Sequence, residues 1–331
     1  MVINVPTPDR DYKVLVRCAT YNQSKYICDA LNGFVMQQTN FPFVVLVVDD
    51  ASTDGEQEVI RKFMAEEFDL SDTSVAYEKE TEYAYIQYAQ HRTNKNCFMV
   101  AMFLKENHYS QKKKKFPYLA EWRDGVKYEA ICEGDDYWID PLKLQKQVDF
   151  LEANLDYSLC FHAAKIQREC KGLNALSFEN IEDREYLAQE LFDNWIAPTA
   201  SFVFRTSIQS LQLKDSSRML NGDIVLVLKC ATIGKVRGFS DVMSVYRIQQ
   251  GGVTYDPKLK KIRVLKYPKH YEFIYDNFKF LNKRKLRIRI ADAYLNRMPY
   301  QEGFTDKCKS ICKSFIWTPM SLLSRIKNKL F

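Results

Sequence analysis

The sequence predicts an α/β fold: a mostly parallel, Rossmann-like central sheet flanked by helices, followed by a basic helical C-terminal extension. Three observations carry that expectation. From residue 13 onward, short apolar runs alternate with segments of helical spacing, the order of a doubly wound sheet. Two of the runs, FVVLVV at 43–48 and YEAIC at 128–132, end directly in carboxylates. The charge is split along the chain: residues 258–331 carry 19 Lys/Arg against 5 Asp/Glu, a net of +14, and the remainder carries a net of −8. The 331 residues therefore divide into an α/β domain over 1–255 and an extension over 256–331, and the overall charge of +6 conceals both.

The elements follow in order. KVLVRC (13–18) reads as a buried strand entering the turn ATYNQS. In 24–37, Tyr26, Ile27, Ala30, Leu31, Phe34 and Val35 fall on one helical face behind Ser24 as N-cap. FPFVVLVVDD is continuous and β-branched, as a parallel strand buried on both faces should be. ASTDGEQEVIRKFMAEEF opens a helix capped by Ser52, Thr53 or Asp54. SVAYEKE reads as a strand, HRTNKNCFMVAMFLKENH as a loop opening a helix near Asn96, and QKKKKFPYLAEWRDG (111–125) as a polar, basic excursion. Tyr128–Cys132 is the next strand. DPLKLQKQVDFLEAN is an amphipathic helix with Asp140 as N-cap and Pro141 in its first turn. Strands are expected at 156–166 and 198–205, a turn and buried helix at 219–233, and a strand pair at 234–247. Beyond 258 the chain reads as helical.

Composition excludes several classes. An apolar share of 46% with 27% charged residues is that of a folded globular protein, not a disordered or low-complexity one. No apolar run approaches the ~18–20 residues that span a bilayer. The N-terminal MVINVPTPDRDYK lacks the basic and apolar regions of a secretory signal. The nine Cys are odd in number and irregular in spacing, which points to reduced thiols in the cytoplasm. The four His form no HExxH or HxH pattern, and Cys308 and Cys312 have no second pair to complete a zinc site. No nucleic-acid-binding module accompanies the basic residues, so nucleic acid is not an expected partner.

The chemistry-bearing feature is the repetition of acids at strand ends: Asp49-Asp50 after FVVLVV, and Glu133-Gly134-Asp135-Asp136 after YEAIC. Open α/β sheets bind ligands at the carboxyl ends of their strands. Paired acids there are costly unless a cation compensates. Oxygen ligands in such a cluster suit Mg2+ or Mn2+ shared with substrate phosphates. The alternative is that these acids cap the following helices, a reading that fits Asp50 with Ser52 and Thr53. Asp223, in LNGDIVLVL, is a lone acid opening an apolar helix; it fits either a general base or a simple cap.

The blocks TYNQSKYICDALNGFVMQQ, FVVLVVDDASTDG and ICEGDDYWIDPLKLQKQVDFLE, in this order and spacing, resemble the nucleotide-sugar domain of family 2 glycosyltransferases, which have the GT-A fold. EGDDYW followed by DPLKLQKQ resembles the bacterial surface-polysaccharide branch of that family. The resemblance spans about 13–70 and 126–165, is looser over 198–253 and stops near 258. It implies that Ala19, Thr20, Tyr21 and Asn22 pack against base and ribose, and that Asp50 accepts the imide N–H of a pyrimidine. It implies a DxD-like role for Glu133, Asp135 and Asp136, with Asp135 and Asp136 holding the metal, foremost Asp136. The family's usual first acid is Asp, and here Glu133 stands in its place. Arg92 and Asn94 match a nucleotide-touching loop, Asp223 the general base, and Asn221 a residue orienting a sugar hydroxyl. Arg247, in VMSVYRIQQGGVT, matches a segment closing over the diphosphate, where Gln249 or Gln250 replaces a His common in relatives. Trp138 and Tyr137 read equally as acceptor-side walls or as core. His162 reads as a buried core histidine.

The activity implied is metal-dependent, inverting transfer of a sugar from a nucleoside diphosphate donor, expected to be a UDP-sugar, to a hydroxyl of a glycan or lipid-linked acceptor. The basic extension suggests contact with an anionic membrane surface on its inner face. A nucleotidyltransferase would share the metal acids but would carry a Gly-rich phosphate loop near the N-terminus, and ATYNQSKY has none. An inactive nucleotide-sugar or glycan-binding module would not need the acids at 50, 135, 136 and 223. The QxxRW sequence of polymer-extruding synthases is absent.

Overall fold

The computed structural model describes residues 11–113, 116–169, 177–249 and 257–319. In chain order the elements are β1 (Val14–Thr20), α1 (Ile27–Val35), β2 (Phe43–Asp49), α2 (Glu56–Glu67), β3 (Phe68–Asp69), β4 (Tyr77–Glu80), β5 (Ala84–His91), β6 (Cys97–Leu104), α3 (Phe116–Arg123), β7 (Tyr128–Ile131) and β8 (Tyr137–Trp138). They continue with α4 (Lys143–Ala153), β9 (Tyr157–Arg168), β10 (Glu185–Tyr186), α5 (Ala188–Asp193), β11 (Val203–Arg205), α6 (Gly222–Ile233), β12 (Lys235–Ile248), α7 (Pro257–Asn277), α8 (Lys283–Asn296) and α9 (Phe304–Trp317).

One sheet organises them, in the order β10-β12-β9-β11-β7-β1-β2-β6-β5-β3, with β4 on β5 and β8 on β12. Its centre, β7-β1-β2-β6, is parallel, and the flanking β11 and β5 run antiparallel to it. The continuous apolar sequences explain the centre. Along β2, Phe43, Val45 and Val47 enter one core with α1, α2 and α4, while Val44, Leu46 and Val48 enter a second core on the opposite face with Tyr118 and Trp122 of α3. Each such side chain contributes about 1.5–3 kcal/mol when fully buried, so the pattern fixes both depth and register.

The C-terminal helices are not detached. Phe273, Ile274 and Phe278 of α7 and Leu286, Ile290 and Tyr294 of α8 form one cluster with Ile224, Val225 and Leu228 of α6. His270 accepts the Leu220 N–H through Nδ1 at 3.2 Å, tying α7 to the loop in front of α6.

Several expectations are corrected. The run CFMVAMFL is β6, not a helix: eight consecutive apolar residues leave no polar face, and the segment pairs in parallel with β2 between two buried layers. Residues 100–125 accordingly contain the end of β6 and the helix α3. Residues 235–248 form one bulged strand parallel to β9 rather than a strand pair, with register shifts at Lys235/Val236 and between Phe239 and Ser244. Residues 199–201 make a 3-10 turn before the short β11. Ser24 caps nothing: α1 begins at Ile27, and the Ser24 N–H donates to Asp54 Oδ2 at 2.9 Å. Asp140 sits one turn ahead of α4, where Oδ1 accepts the Leu142 N–H at 2.8 Å. Asp54, as expected, accepts an N–H at the start of α2, that of Glu56 at 3.1 Å.

Candidate active site

β1 and β7 are parallel neighbours, so the turns that leave their carboxyl ends emerge side by side. The ladder continues into both turns: Cys132 N–H donates to Arg17 O at 3.0 Å and Gly134 N–H to Ala19 O at 3.2 Å. Asp136 N–H donates to Glu133 O at 3.1 Å, closing the acidic turn on itself. Gly134 is required by contact. A Cβ there would meet Thr20 Oγ1 at 2.4 Å and Gln23 Oε1 at 2.5 Å, and both groups are anchored. The two sequence blocks are thus interlocked through a residue with no side chain.

The turn after β1 is in turn bound to the turn after β2. Asn22, with φ of 53°, donates its N–H to Ser52 Oγ at 2.9 Å, and its Oδ1 accepts the Thr53 N–H at 2.8 Å. Beneath them lies Glu56, which is fully buried. It accepts from Thr20 Oγ1, from Gln23 N–H at 2.8 Å and from Ser52 Oγ at 2.9 Å. Sequence reasoning missed Glu56, although Thr53-Asp54-Gly55-Glu56 has the spacing of a capping box.

On the other side of the acidic turn, the end of β12 supplies the clamp. Arg247 donates its backbone N–H to Asp136 Oδ1 at 2.8 Å, one guanidinium nitrogen to Asp135 O at 2.8 Å and another to Asp29 Oδ2 at 2.6 Å. Gln249 Nε2 donates to Asp135 Oδ2 at 2.9 Å. Asp29 was not singled out in the sequence; it and Gln249 meet the acidic turn only when β12 returns past β8.

Electrostatics mark the cluster. Burial, then the neighbouring Asp135 and Asp223, push the Glu133 carboxyl up to about 7. Burial and Asp135 push Asp136 well above the usual carboxylate range. Burial raises Asp223 as well. Glu133, Asp135 and Asp136 repel one another within one turn and Asp223 adds to the repulsion on Glu133, while Arg247 offsets part of it at Asp136 and Arg17 attracts Glu133 only weakly, as its guanidinium pairs with Glu129 at 2.9 Å. Carboxylate oxygens gathered in a buried turn are the donor type that a hard divalent ion takes. Among the described residues, no group of three His, Cys, Asp or Glu side chains is arranged to hold a metal ion by itself. A site sharing its ion with a phosphate needs no such group.

The sequence-derived residues separate into groups. Ala19, Tyr21 and Asn22 are exposed on the rim, and Glu133, Asp135, Asn221 and Asp223 are half-buried. Thr20 is buried and engaged by Glu56, so it supports the turn instead of facing a ligand. Asp50 is buried, and its two oxygens accept the His108 and Tyr109 N–H groups at 2.8 and 3.1 Å, pinning the loop after β6. Asp136 is turned inward under Arg247, which leaves Asp135 as the more accessible of the pair. Arg247, expected on a diphosphate, spends its guanidinium on Asp29 and on the acidic turn. Trp138 is core: it is 1% exposed, its Nε1 donates to Ala200 O at 2.8 Å, and the Lys143 ammonium sits 4.1 Å from its ring centroid. Tyr137 is half-buried and donates to Gln167. His162 is fully buried, as expected of a core residue.

Arg92 and Asn94 lie at the wrong end of the sheet. They occupy the connection from β5 to β6, and β6 starts level with the start of β2. A seven-residue strand, about 23 Å, separates that edge from the acids. Asn94 instead donates to Val35 O and Gln37 O at 3.0 and 2.8 Å, and Arg92 to Ala65 O at 3.1 Å.

Residues 17–82 match the family described as Glycosyl transferase family 2. Uncharacterized proteins of Mycobacterium bovis and Mycobacterium tuberculosis are 29% identical over 236 residues, which is 71% of this chain and 58% of theirs. The chain thus spans less than two thirds of the length of these curated relatives. The structure of S. aureus TarS 1-349 in complex with UDP-GlcNAc aligns with a TM-score of 0.58 at 16% identity, covering 93% of this chain and 82% of that one. The mannosyltransferase PcManGT from Pyrobaculum calidifontis, in complex with GDP-Man and Mn2+, aligns with a TM-score of 0.51 at 14% identity, covering 98% and 81%. At such identities the likeness is one of fold. The matched segment begins in β1 and runs through β2 and α2, the part of the sheet that carries the turns after β1 and β2, and the architecture around it is that of the GT-A fold.

Proposed function

We propose that the chain is a divalent-metal-dependent, inverting glycosyltransferase that moves a sugar from a nucleoside diphosphate donor, a UDP-sugar, to a hydroxyl of a glycan or lipid-linked acceptor in surface polysaccharide synthesis. The observation that carries the reading is the convergence of Glu133, Asp135 and Asp136 with Asp223 at the carboxyl edge of the parallel strands. The complexes named above, with UDP-GlcNAc and with GDP-Man and Mn2+, support the donor class and the metal.

Asp135, with Glu133, would hold Mn2+ or Mg2+, and Asp136 would fix their turn through the Arg247 amide. When bound, the ion supplies a positive charge against the diphosphate leaving group. The chain's own residues do the rest. Ala19, Tyr21 and Asn22 form the rim on which a base and ribose would lie. Asn221 stands before Asp223 and would orient a sugar hydroxyl. Asp223 accepts the proton of the attacking acceptor hydroxyl; its raised pKa makes it the stronger base, at the cost of a smaller ionised fraction at low pH.

The test is donor turnover. The chain is incubated with UDP- and GDP-sugars, Mn2+ and candidate acceptors, and released nucleoside diphosphate and the anomeric configuration of the product are measured. Release that depends on Mn2+ and is lost in Asp135→Ala supports the reading. Retained configuration removes the inverting assignment, and release unaffected by Asp135→Ala removes the metal site.

The basic extension supports a membrane-surface role. No helix among the described residues is long and apolar enough to cross a bilayer. In α9, however, Phe304, Phe315 and Ile316 are 82%, 55% and 72% exposed, and Lys307, Lys309 and Lys313 share the helix. Exposed apolar groups among cations suit an anionic lipid surface. Flotation with phosphatidylglycerol vesicles, weakened by salt and absent with phosphatidylcholine, is the expected result.

A further inference from the structure

A cavity lies among the C-terminal helices, lined by none of the residues of the acidic turns. It measures about 800 Å3 and is walled by α5, α7 and α8, with Phe192, Tyr267, Tyr271, Asp292 and Tyr300 among its lining. That volume falls in the range of small-ligand sites, ~300–1,000 Å3.

Its chemistry is specific. Tyr267 and Tyr271 stack on one another, centroids 5.6 Å apart and planes at 13°, and present a broad aromatic wall. The Arg289 guanidinium lies over Phe192 at 4.4 Å and donates to Phe192 O at 2.9 Å, which fixes the floor. Arg289 and Lys285 both pair with Asp193, at 3.3 and 3.1 Å. The lining holds two acids, Asp193 and Asp292, against these two cations, so its formal charge is zero. Such a balance favours neither a polyanion nor a cation.

What remains without a protein partner, and open to solvent, is a set of neutral or acceptor groups. The hydroxyls of Tyr267, Tyr271 and Tyr300 and the carboxylate of Asp292 make no hydrogen bond or ion pair within the described residues. Pro268, inside α7, also cannot donate the helical hydrogen bond to the Val264 carbonyl, and Val264 lines the same cavity. Aromatic faces beside several unpartnered hydroxyl and carboxylate groups match a ligand that is neutral, apolar on one face and rich in hydroxyls. The electron-rich ring face takes the C–H face of a pyranose, and the oxygens take its hydroxyls.

We infer that the cavity between α5, α7 and α8 binds a neutral saccharide unit, separately from the donor site. The inference does not need the transfer activity, because binding here is read without turnover. Its position suits a holding site for a glycan acceptor: Phe192 and Tyr271 pack in the same cluster as Ile224 and Val225, directly behind Asp223.

The experiment is saturation-transfer NMR on the full chain with methyl glycosides of glucose, galactose, mannose, N-acetylglucosamine and rhamnose and their trisaccharides. At least one is expected to bind. Tyr267→Ala and Asp292→Asn should each weaken it about tenfold, the effect of losing one good contact, with an unchanged melting temperature. Asp292→Asn changes no volume and remains informative if Tyr267→Ala fails to fold. Binding should persist in Asp223→Asn. The inference is overturned if no sugar in the panel binds, if both cavity variants bind as the parent does, or if Asp223→Asn abolishes binding. Nucleoside diphosphate release, measured in parallel, separates failure of this site from failure of the proposed activity.

Discussion

Four carboxylates, Glu133, Asp135, Asp136 and Asp223, share one edge of the sheet, and burial raises three of them. The three C-terminal helices hold the opposite charge under opposite conditions: Lys285 and Lys309 remain more than half exposed, and their ion pairs are open to water. Charge of one sign crowded in low dielectric is expensive, and it becomes useful once a ligand of the other sign enters. Charge spread over a solvated surface costs little and acts collectively, at a distance set by salt. The comparison separates a place built for a few strong contacts from a surface built for many weak ones.

The largest expected effect breaks the acidic side. Asp223→Asn should lower turnover by ~10²–10⁴-fold, the range for loss of a general base, with nucleotide affinity retained. Equal turnover in the variant and the parent would remove Asp223 from the chemistry. Next comes the interlock: Gly134→Ala should cost about 1–3 kcal/mol by overpacking against Thr20 and Gln23, measured by denaturant unfolding, and should weaken donor binding as the acidic turn shifts. An unchanged midpoint would mean the two turns are not rigidly coupled.

A smaller effect concerns pH. The Glu133 carboxyl is held up to about 7, above its unfolded value of ~4.3. The folded state therefore binds the extra proton between those values, and the contribution of Glu133 to stability falls as pH rises through that window. Glu133→Gln should flatten this part of the stability–pH curve. Mn2+ competes with the same proton, so its thermal stabilisation should be greater at pH 8 than at pH 6. Equal Mn2+ shifts at both pH values would separate Glu133 from the metal.

The smallest expected effect lies on the basic side. Phe315→Ser with Ile316→Ser should reduce vesicle flotation severalfold and leave donor release in solution unaltered, because both side chains are exposed. Loss of release without vesicles would contradict the division between the two regions.

Much of the site was legible before the fold was known, for a local reason. A buried strand must be apolar, and acids immediately after it must emerge at its carboxyl end, so FVVLVVDD and YEAICEGDD announce their positions along the chain. β6 was less legible because Met, Ala, Leu and Phe serve helices and strands alike; only burial on both faces decides between them. Arg92 and Asn94 are placed by resemblance alone; because β6 runs parallel to β2, the connection that carries them lies at the amino edge of the sheet. Trp138 fits either ligand wall or core by sequence, and the Ala200 carbonyl that accepts its indole N–H makes it core.

By itself, the sequence determined the central parallel strands, the acidic turns behind them, the helix opened by Asp223 and the charge division near residue 258, because each depends on neighbouring residues alone. Only the tertiary structure decided which acids face outward. Asp136 and Asp135 are adjacent, yet Arg247, more than a hundred residues later, turns one inward and leaves the other accessible. The same holds for the cavity of Tyr267, Tyr271 and Asp292. Its walls come from three helices, and no single helix carries enough of it to be recognised.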